Sequence, residues 1–228
     1  MEFRYLGQSC FDAAIGGRRV LFDPFIRGNE LAMNAGIKID EIKADYILVS
    51  HGHSDHSDDL LYIAERNKSK VVSTFEIYSW LNKNQIANVH PMNIGGKWKF
   101  DFGTVKMTHA VHSSSMGDGT YAGTAAGFLI FAEEKIIYYS GDTALTYDMK
   151  LIGEMYQVDA AFLPIGDNFT MDAADACKAA EFIGCNKIIA MHYDTFGFIK
   201  VDHAEVKKIF KKEGKEIHFL GIGKSIKI

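Results

Sequence analysis

Proline and cysteine are both scarce in this sequence, with three of each among 228 residues. So few prolines make no rigid linker, and no Pro/Ser-rich or like-charged run marks a boundary, so a single domain over residues 1–228 is expected. Cys10, Cys177 and Cys185 are odd in number, far apart and without a CxxC pair. That excludes a disulfide framework and fits a reducing compartment. No apolar run is long enough to cross a bilayer, and the segment from Met1 to Gly7 lacks the apolar stretch of a secretory signal. A cytoplasmic location with no membrane partner is the resulting expectation. An excess of positive charge is missing too, since 25 Lys and Arg stand against 29 Asp and Glu. Nonspecific binding of nucleic acid draws on surplus Lys and Arg to neutralise phosphates, so a nucleic-acid partner is not expected. The most basic stretch, Lys207 to Lys215, follows Val206 and includes Ile209 and Phe210 at helical spacing, and reads as a solvated helix face. The expected partners are a small-molecule substrate and, as the alternative to a monomer, a second copy of the chain in a homo-oligomer.

What the sequence does contain is a 47% apolar composition, ample for a core. Its first half reads mainly as strands. Glu2–Leu6, Cys10–Ile15 and Arg18–Phe22 are short runs, with Gly16-Gly17 as a hairpin turn between the last two. Asp23-Pro24 breaks the pattern and opens a loop towards residue 40, and Tyr46–Val49 then forms a buried-type strand ending at Ser50-His51. A helix around Leu60–Ala64, capped by Ser57 or Asp58, precedes a strand at Lys70–Ser73 and a helix at Phe75–Leu81. Two hairpins follow, Lys97–Phe100 with Thr104–His109 and Ala125–Phe131 with Lys135–Tyr139. Beyond residue 144, helices (Ala144–Met155, Asp172–Phe182, Asp202–Phe210) alternate with strands (Ala160–Leu163, Lys187–Ala190, Glu216–Phe219, Ser225–Ile228). If each half forms one sheet with helices outside it, the result is an α/β four-layer αββα sandwich.

The chemistry concentrates at His51-Gly52-His53-Ser54-Asp55-His56, where the Tyr46–Val49 strand gives way to a loop. Three imidazoles and a carboxylate this close are costly to bury without a partner. Neutral imidazole is the commonest metal ligand, and Asp joins it on borderline divalent ions such as zinc. One such cluster cannot complete two coordination shells, so further donors are expected at other strand ends. His112, Asp142 and His192 each follow a predicted strand, the position where α/β folds gather functional loops.

In these residues the sequence resembles the metallo-β-lactamase superfamily, whose His-x-His-x-Asp-His motif matches His51, His53, Asp55 and His56. The later His, Asp and His of that superfamily match His112, Asp142 and His192 in order, and its early Asp matches Asp23. The resemblance covers nearly the whole chain. It is closest to short bacterial and archaeal metal-dependent hydrolases related to ascorbate-6-phosphate lactonase, through Gly7–Phe11, Asp23–Phe25, Pro164–Met171 and Met191–Tyr193. It implies one metal on His51, His53 and His112, a second on Asp55, His56 and His192, and Asp142 bridging them. Two divalent ions are therefore expected as cofactors, zinc first, with manganese, nickel or iron as alternatives. The sequence departs from the pattern at Gln8, where relatives often carry His, and glutamine cannot carry a proton near neutral pH. It departs again at Asp167, where relatives commonly have Gly and where a carboxylate is expected to narrow or charge the pocket.

The implied activity is metal-dependent hydrolysis. A metal-activated hydroxide would attack an ester, lactone, thioester or phosphoester of a small molecule. Asp55 is the expected catalytic residue, a ligand that also passes a proton to the leaving group, and Asp23 is expected to orient a ligand histidine from behind. The alternatives are a metal-dependent nuclease or phosphodiesterase and a redox or non-catalytic metal-binding protein. Other candidates are weaker. His109 is expected to serve structure or to support a ligand from behind, His90, His203 and His218 lack motif context, and Ser113–Ser115 lack a Gly-x-Ser-x-Gly elbow. Selectivity is expected from loops around Asn29–Lys38, Ser113–Gly123 and Gly166–Met171.

Overall fold

The computed structural model describes residues 1–228 and folds them around two seven-stranded sheets. The first sheet begins with β1 (Glu2–Gly7), β2 (Cys10–Ile15) and β3 (Arg18–Phe22), antiparallel neighbours turning through Gln8-Ser9 and Gly16-Gly17. It continues in parallel through β4 (Tyr46–Leu48), β5 (Lys70–Thr74) and β6 (Val89–Met92). The second sheet comprises β7 (Lys97–Phe100), β8 (Gly103–His109), β9 (Ala126–Ala132), β10 (Lys135–Tyr139), β11 (Ala160–Pro164), β12 (Lys187–Met191) and β13 (Glu216–His218). Its first four strands are antiparallel and the rest parallel. The last strand, β14 (Ser225–Lys227), leaves this half of the chain and pairs antiparallel with β1.

Alternation along the strands explains the layering, because successive side chains of a strand point to opposite faces. In β3 and β4, Val20, Phe22, Tyr46 and Leu48 join the core between the sheets. Leu21, Ile47 and Val49 face the other way into a second cluster, under the helices of the first half. Those helices are α1 (Glu30–Asn34), α2 (Ser54–Ser57), α3 (Leu60–Asn67) and α4 (Phe75–Lys83). The helices α5 (Asp148–Met155), α6 (Ala173–Ile183) and α7 (His203–Lys212) belong to the second half, and α6 lays Ala176, Ala179, Ala180 and Ile183 onto the larger core. Aromatic rings fill the space between the sheets. Phe162 lies 4.8 Å from Phe3 and 4.9 Å from Phe11, centroid to centroid, and Phe22 lies 5.0 Å from Tyr139. Each such buried ring contributes on the order of 1.5–3 kcal/mol by leaving water. The four-layer αββα sandwich expected from the sequence is therefore the fold.

Local details differ from the sequence reading for identifiable reasons. β6 was not expected, because Pro91 and flanking polar residues disguise an edge strand, a place where proline is tolerated. The cap residue of α3 is Asp59, not Ser57 or Asp58, and its carboxylate instead accepts from the backbone N–H groups of Ile26 and Arg27. α5 starts at Asp148, four residues later than expected, and Ala144 N–H donates to the Val111 carbonyl and not within a helix. The sheets divide between β6 and β7, well before the change to helix–strand alternation at residue 144, so β7–β10 join the second sheet, and β14 returns to the first.

Candidate metal centre

The expected donors lie where strands end, along one edge of the sandwich. β4 ends at Leu48, and its continuation brings Ser50 and His51 between the sheets, where the Ser50 carbonyl accepts from Ala126 N–H at 3.0 Å. Gly52 and Gly141 make the close approach feasible. A Cβ on Gly52 would lie 2.6 Å from the Ala122 Cβ, and one on Gly141 would lie 2.8 Å from the Ser50 Cβ. His53 precedes the single turn of α2, which carries Asp55 and His56. His112 follows β8, Asp142 follows β10 and His192 follows β12. The first two of these loops are tied together, since Val111 N–H donates to Thr143 Oγ1 at 3.0 Å and Ala144 N–H to the Val111 carbonyl at 3.1 Å. His192 adopts φ of 54° and donates its N–H to the Gln8 carbonyl at 2.9 Å.

All seven donors converge. His51, His53 and His112 form one group, and Asp55, His56, Asp142 and His192 form another, with the donor atoms of each group within 4.8 Å of one another. Asp142 Oδ2 lies between the two groups. It is 4.0 Å from His51 Nε2 and 3.7 Å from His112 Nε2 on one side, and 3.2 Å from His56 Nε2 and 2.9 Å from His192 Nε2 on the other.

Behind the donors sits Asp23, fully buried and with φ of 42°. Its Oδ1 accepts from Ser50 N–H at 2.7 Å, and its Oδ2 lies 2.6 Å from Ser50 Oγ, 2.8 Å from His56 Nδ1 and 2.7 Å from the Tyr139 hydroxyl. Ser50 Oγ in turn lies 2.9 Å from His51 Nδ1. His51 and His56 thus have their Nδ1 atoms engaged from behind and turn their Nε2 atoms into the site, the arrangement that fixes the tautomer of a metal-binding histidine.

The residues present fit divalent metal ions. Buried His56 Nε2 and Asp142 Oδ1 have no hydrogen-bond partner, and His51 Nε2 faces His53 Nδ1 at 3.0 Å. Buried polar atoms are normally paired, and lone pairs that converge in this way want a shared cation. A set of imidazoles and carboxylates suits zinc and its first-row neighbours. The electrostatics divide along the same line. Burial holds His51, His53 and His112 below the ordinary imidazole value despite nearby carboxylates. Burial also acts on His56 and His192, but Asp142 and Asp55 outweigh it, raising His56 and lifting His192 to about 9. The same contacts hold Asp55 and Asp142 below the usual carboxylate range, against the effect of burial.

The site opens into a cavity of about 540 Å³ lined by His53, Asp55, His112, Asp142 and His192, by Ser54, Asp58 and Ser113, and by Phe25, Gly28, Phe169 and Phe196. Phe25 and Phe196 were not singled out from the sequence. The available signal was Phe196-Gly197-Phe198, an aromatic pair across a glycine just after the His192 strand end. Asp167 is not among the residues that line the cavity. Its φ of 61° is the left-handed backbone that glycine favours, and its Oδ1 accepts from the neighbouring Asn168 N–H. Gln8 is fully buried against Asp55. His109 lies outside the site, 3.0 Å from Asp148, and His203 pairs with Asp194 at 2.7 Å.

Residues 18–193 match the β-lactamase superfamily domain. A UPF0173 metal-dependent hydrolase of Flavobacterium johnsoniae is 50% identical over 228 residues, covering all of both chains. The chain belongs to this family of metal-dependent hydrolases within the metallo-β-lactamase superfamily. Among solved structures, a metallo hydrolase from the archaeon Ignicoccus hospitalis superposes with a TM-score of 0.88 at 32% identity, over 99% of this chain and 97% of that one. An isothiocyanate hydrolase from Delia radicum gut bacteria shares the fold, with a TM-score of 0.78 at 18% identity over 100% of this chain and 99% of that one. No helix is long and apolar enough to cross a membrane.

Proposed function

We propose that this hydrolase cleaves an ester, lactone, thioester or phosphoester bond of a small molecule, using two divalent ions, zinc first among them. His51, His53 and His112 would hold one ion, Asp55, His56 and His192 the other, and Asp142 would be shared. The observation that carries this reading is the position of Asp142 Oδ2, within 4.0 Å of imidazole nitrogens from both groups. Bound there, such ions make water far more acidic than in bulk and polarise the oxygen of the scissile group.

The chain's own residues supply the rest. Asp55 is one-fifth exposed (21%) and lines the cavity, so its carboxylate can take a proton from water and hand it to the leaving group. Asp23 and Ser50 hold the imidazoles in register. The elements of water add across the bond. The water oxygen joins the acyl or phosphoryl centre, the bond to the leaving group breaks, and that group departs with a proton. A polynucleotide substrate would call for cations to hold its backbone, and neither Lys nor Arg lines the cavity.

The test is hydrolysis of a panel of carboxylic, thioester, lactone and phosphoester substrates, with bound metal counted. Activity should vanish on chelation and return with divalent ion, at two ions per chain. Hydrolysis that survives complete metal removal would overturn the proposal.

A further inference from the structure

Beside the metal cavity lies a second hollow of about 610 Å³, and the two share Gly28, Phe169 and Phe196 as a common wall. Phe198, Glu30, Thr195 and Gly197 complete the second hollow. Four aromatic rings run from one space into the other: Phe25 packs 6.3 Å from Phe196, and Phe169 packs 6.4 Å from Phe198. Only Phe25 is buried. Phe169, Phe196 and Phe198 are 52%, 36% and 78% exposed. Clustered aromatics left in water beside a polar, chemically equipped cavity mark a ligand surface more than they mark a packing defect.

The exposure is held in place by the backbone. Asp194 adopts φ of 64°, donates its N–H to the Ile199 carbonyl at 2.8 Å, and accepts from Val201 N–H and His203 through its carboxylate. Ile199 anchors the far end in the core. Phe196 and Phe198 are therefore presented on a tied loop. Phe25 is buried and packs its ring so closely on Gly28 that a Cβ there would collide with it.

Charge narrows the occupant. No Lys or Arg lines either space, and beyond the candidate metal donors the charged lining residues are Asp58 and Glu30. Arg27, the nearest cation in sequence, is turned away, with Nε 2.6 Å from Asp59 Oδ1 and its guanidinium 4.8 Å from the Tyr62 ring. A phosphate or carboxylate handle remote from the scissile bond would find no cationic partner here and two carboxylates to repel it.

We infer that the substrate carries an uncharged apolar acyl or aryl group, which lies along Phe25, Phe169, Phe196 and Phe198 while its carbonyl sits at the metal centre. The inference rests on the hydrolytic reading above and selects, within it, neutral esters, lactones or thioesters. In the step concerned, water oxygen bonds to the acyl carbon, the bond to the leaving alkoxide or thiolate breaks, and that group leaves protonated.

The zinc-loaded protein should be assayed on methyl acetate, methyl butyrate, methyl hexanoate and monomethyl adipate, the last matching the hexanoate in length but ending in a carboxylate. kcat/KM is expected to rise about two- to threefold per methylene from acetate to hexanoate, and to fall at least tenfold from hexanoate to adipate. Phe169→Ala with Phe198→Ala should collapse the hexanoate-to-acetate ratio, and both rings are exposed enough that the core is untouched. Binding of 2-octanone, which cannot be hydrolysed, gives a readout without turnover and should weaken at least fivefold in that double variant. A flat chain-length ratio, or adipate cleaved as well as hexanoate, overturns the subsite and leaves the hydrolytic reading standing. Ketone binding that depends on the two rings, with no ester cleaved, supports the subsite and instead removes ester hydrolysis.

Discussion

Gln8 donates its side-chain amide to Asp55 Oδ2 at 2.9 Å, from a fully buried position with φ of 55°. Its carbonyl holds His192 N–H, so one residue steadies two of the candidate donors. Glutamine cannot shuttle a proton, but it can aim a carboxylate. Gln8→Leu should therefore lower turnover about 10- to 100-fold, the usual cost of losing a partner behind a ligand, whereas Gln8→His, which keeps a donor, should lose far less. Steady-state rates with bound metal counted would decide it. Equal losses in the two variants would deny Gln8 the aiming role.

Asp55→Asn keeps volume and one acceptor oxygen but removes the charge and the proton-accepting carboxylate. Turnover is expected to fall by at least about 10²-fold, with circular dichroism unchanged because the residue sits on a loop-edge turn away from both cores. Full activity at full metal occupancy would transfer the acid–base role elsewhere, with Asp142 next in line.

Asp23 contacts His56 directly and reaches His51 only through Ser50. Asp23→Asn should weaken metal binding by both groups, about 10- to 100-fold, while Ser50→Ala should affect mainly the His51 group. Metal titrations on the two variants separate these routes. Matching losses in both groups for Ser50→Ala would mean that the two routes are one.

The raised His56 and His192 set the direction of the pH dependence. In the metal-free protein His192 keeps its proton up to about 9 and His56 is likewise favoured as the cation, so metal must displace these protons. Affinity at the Asp55–His56–Asp142–His192 group should fall as pH drops below about 9. The fall is expected to be about tenfold per pH unit for each proton displaced. The His51–His53–His112 group, already neutral near pH 7 because burial holds it low, should lose affinity much less. Zinc titrations at pH 7.5 and 6 with proton release measured would test this, and parallel losses in the two groups would contradict it.

Much of this was legible in the sequence, because strands with strict alternation and a dense histidine motif leave few readings. The β2–β3 hairpin, the β7 and β10 strands and all seven converging donors were visible as residue types at strand ends. The misses share a cause, namely that tertiary partners decided them. Asp59 could have capped α3, but two backbone N–H groups of the neighbouring loop claimed its carboxylate. β14 carries no local mark of which sheet it joins, since the open edge of β1 lies at the other end of the chain. Phe25 and Phe196 were invisible as pocket residues because an aromatic in a loop looks the same whether it faces a core or a cavity.

His51, His53, Asp55 and His56 stand on loops of the first sheet, and His112, Asp142 and His192 on loops of the second. Tyr139, from the second sheet, reaches across to Asp23 in the same network. A chain caught during folding with only its first sheet formed can therefore offer at most the motif's own four side chains, and neither donor group is complete. High-affinity capture of metal at these groups would wait until the sheets have docked, and once made would tie the two together. Metal would then act late, as a latch that slows unfolding more than it speeds folding.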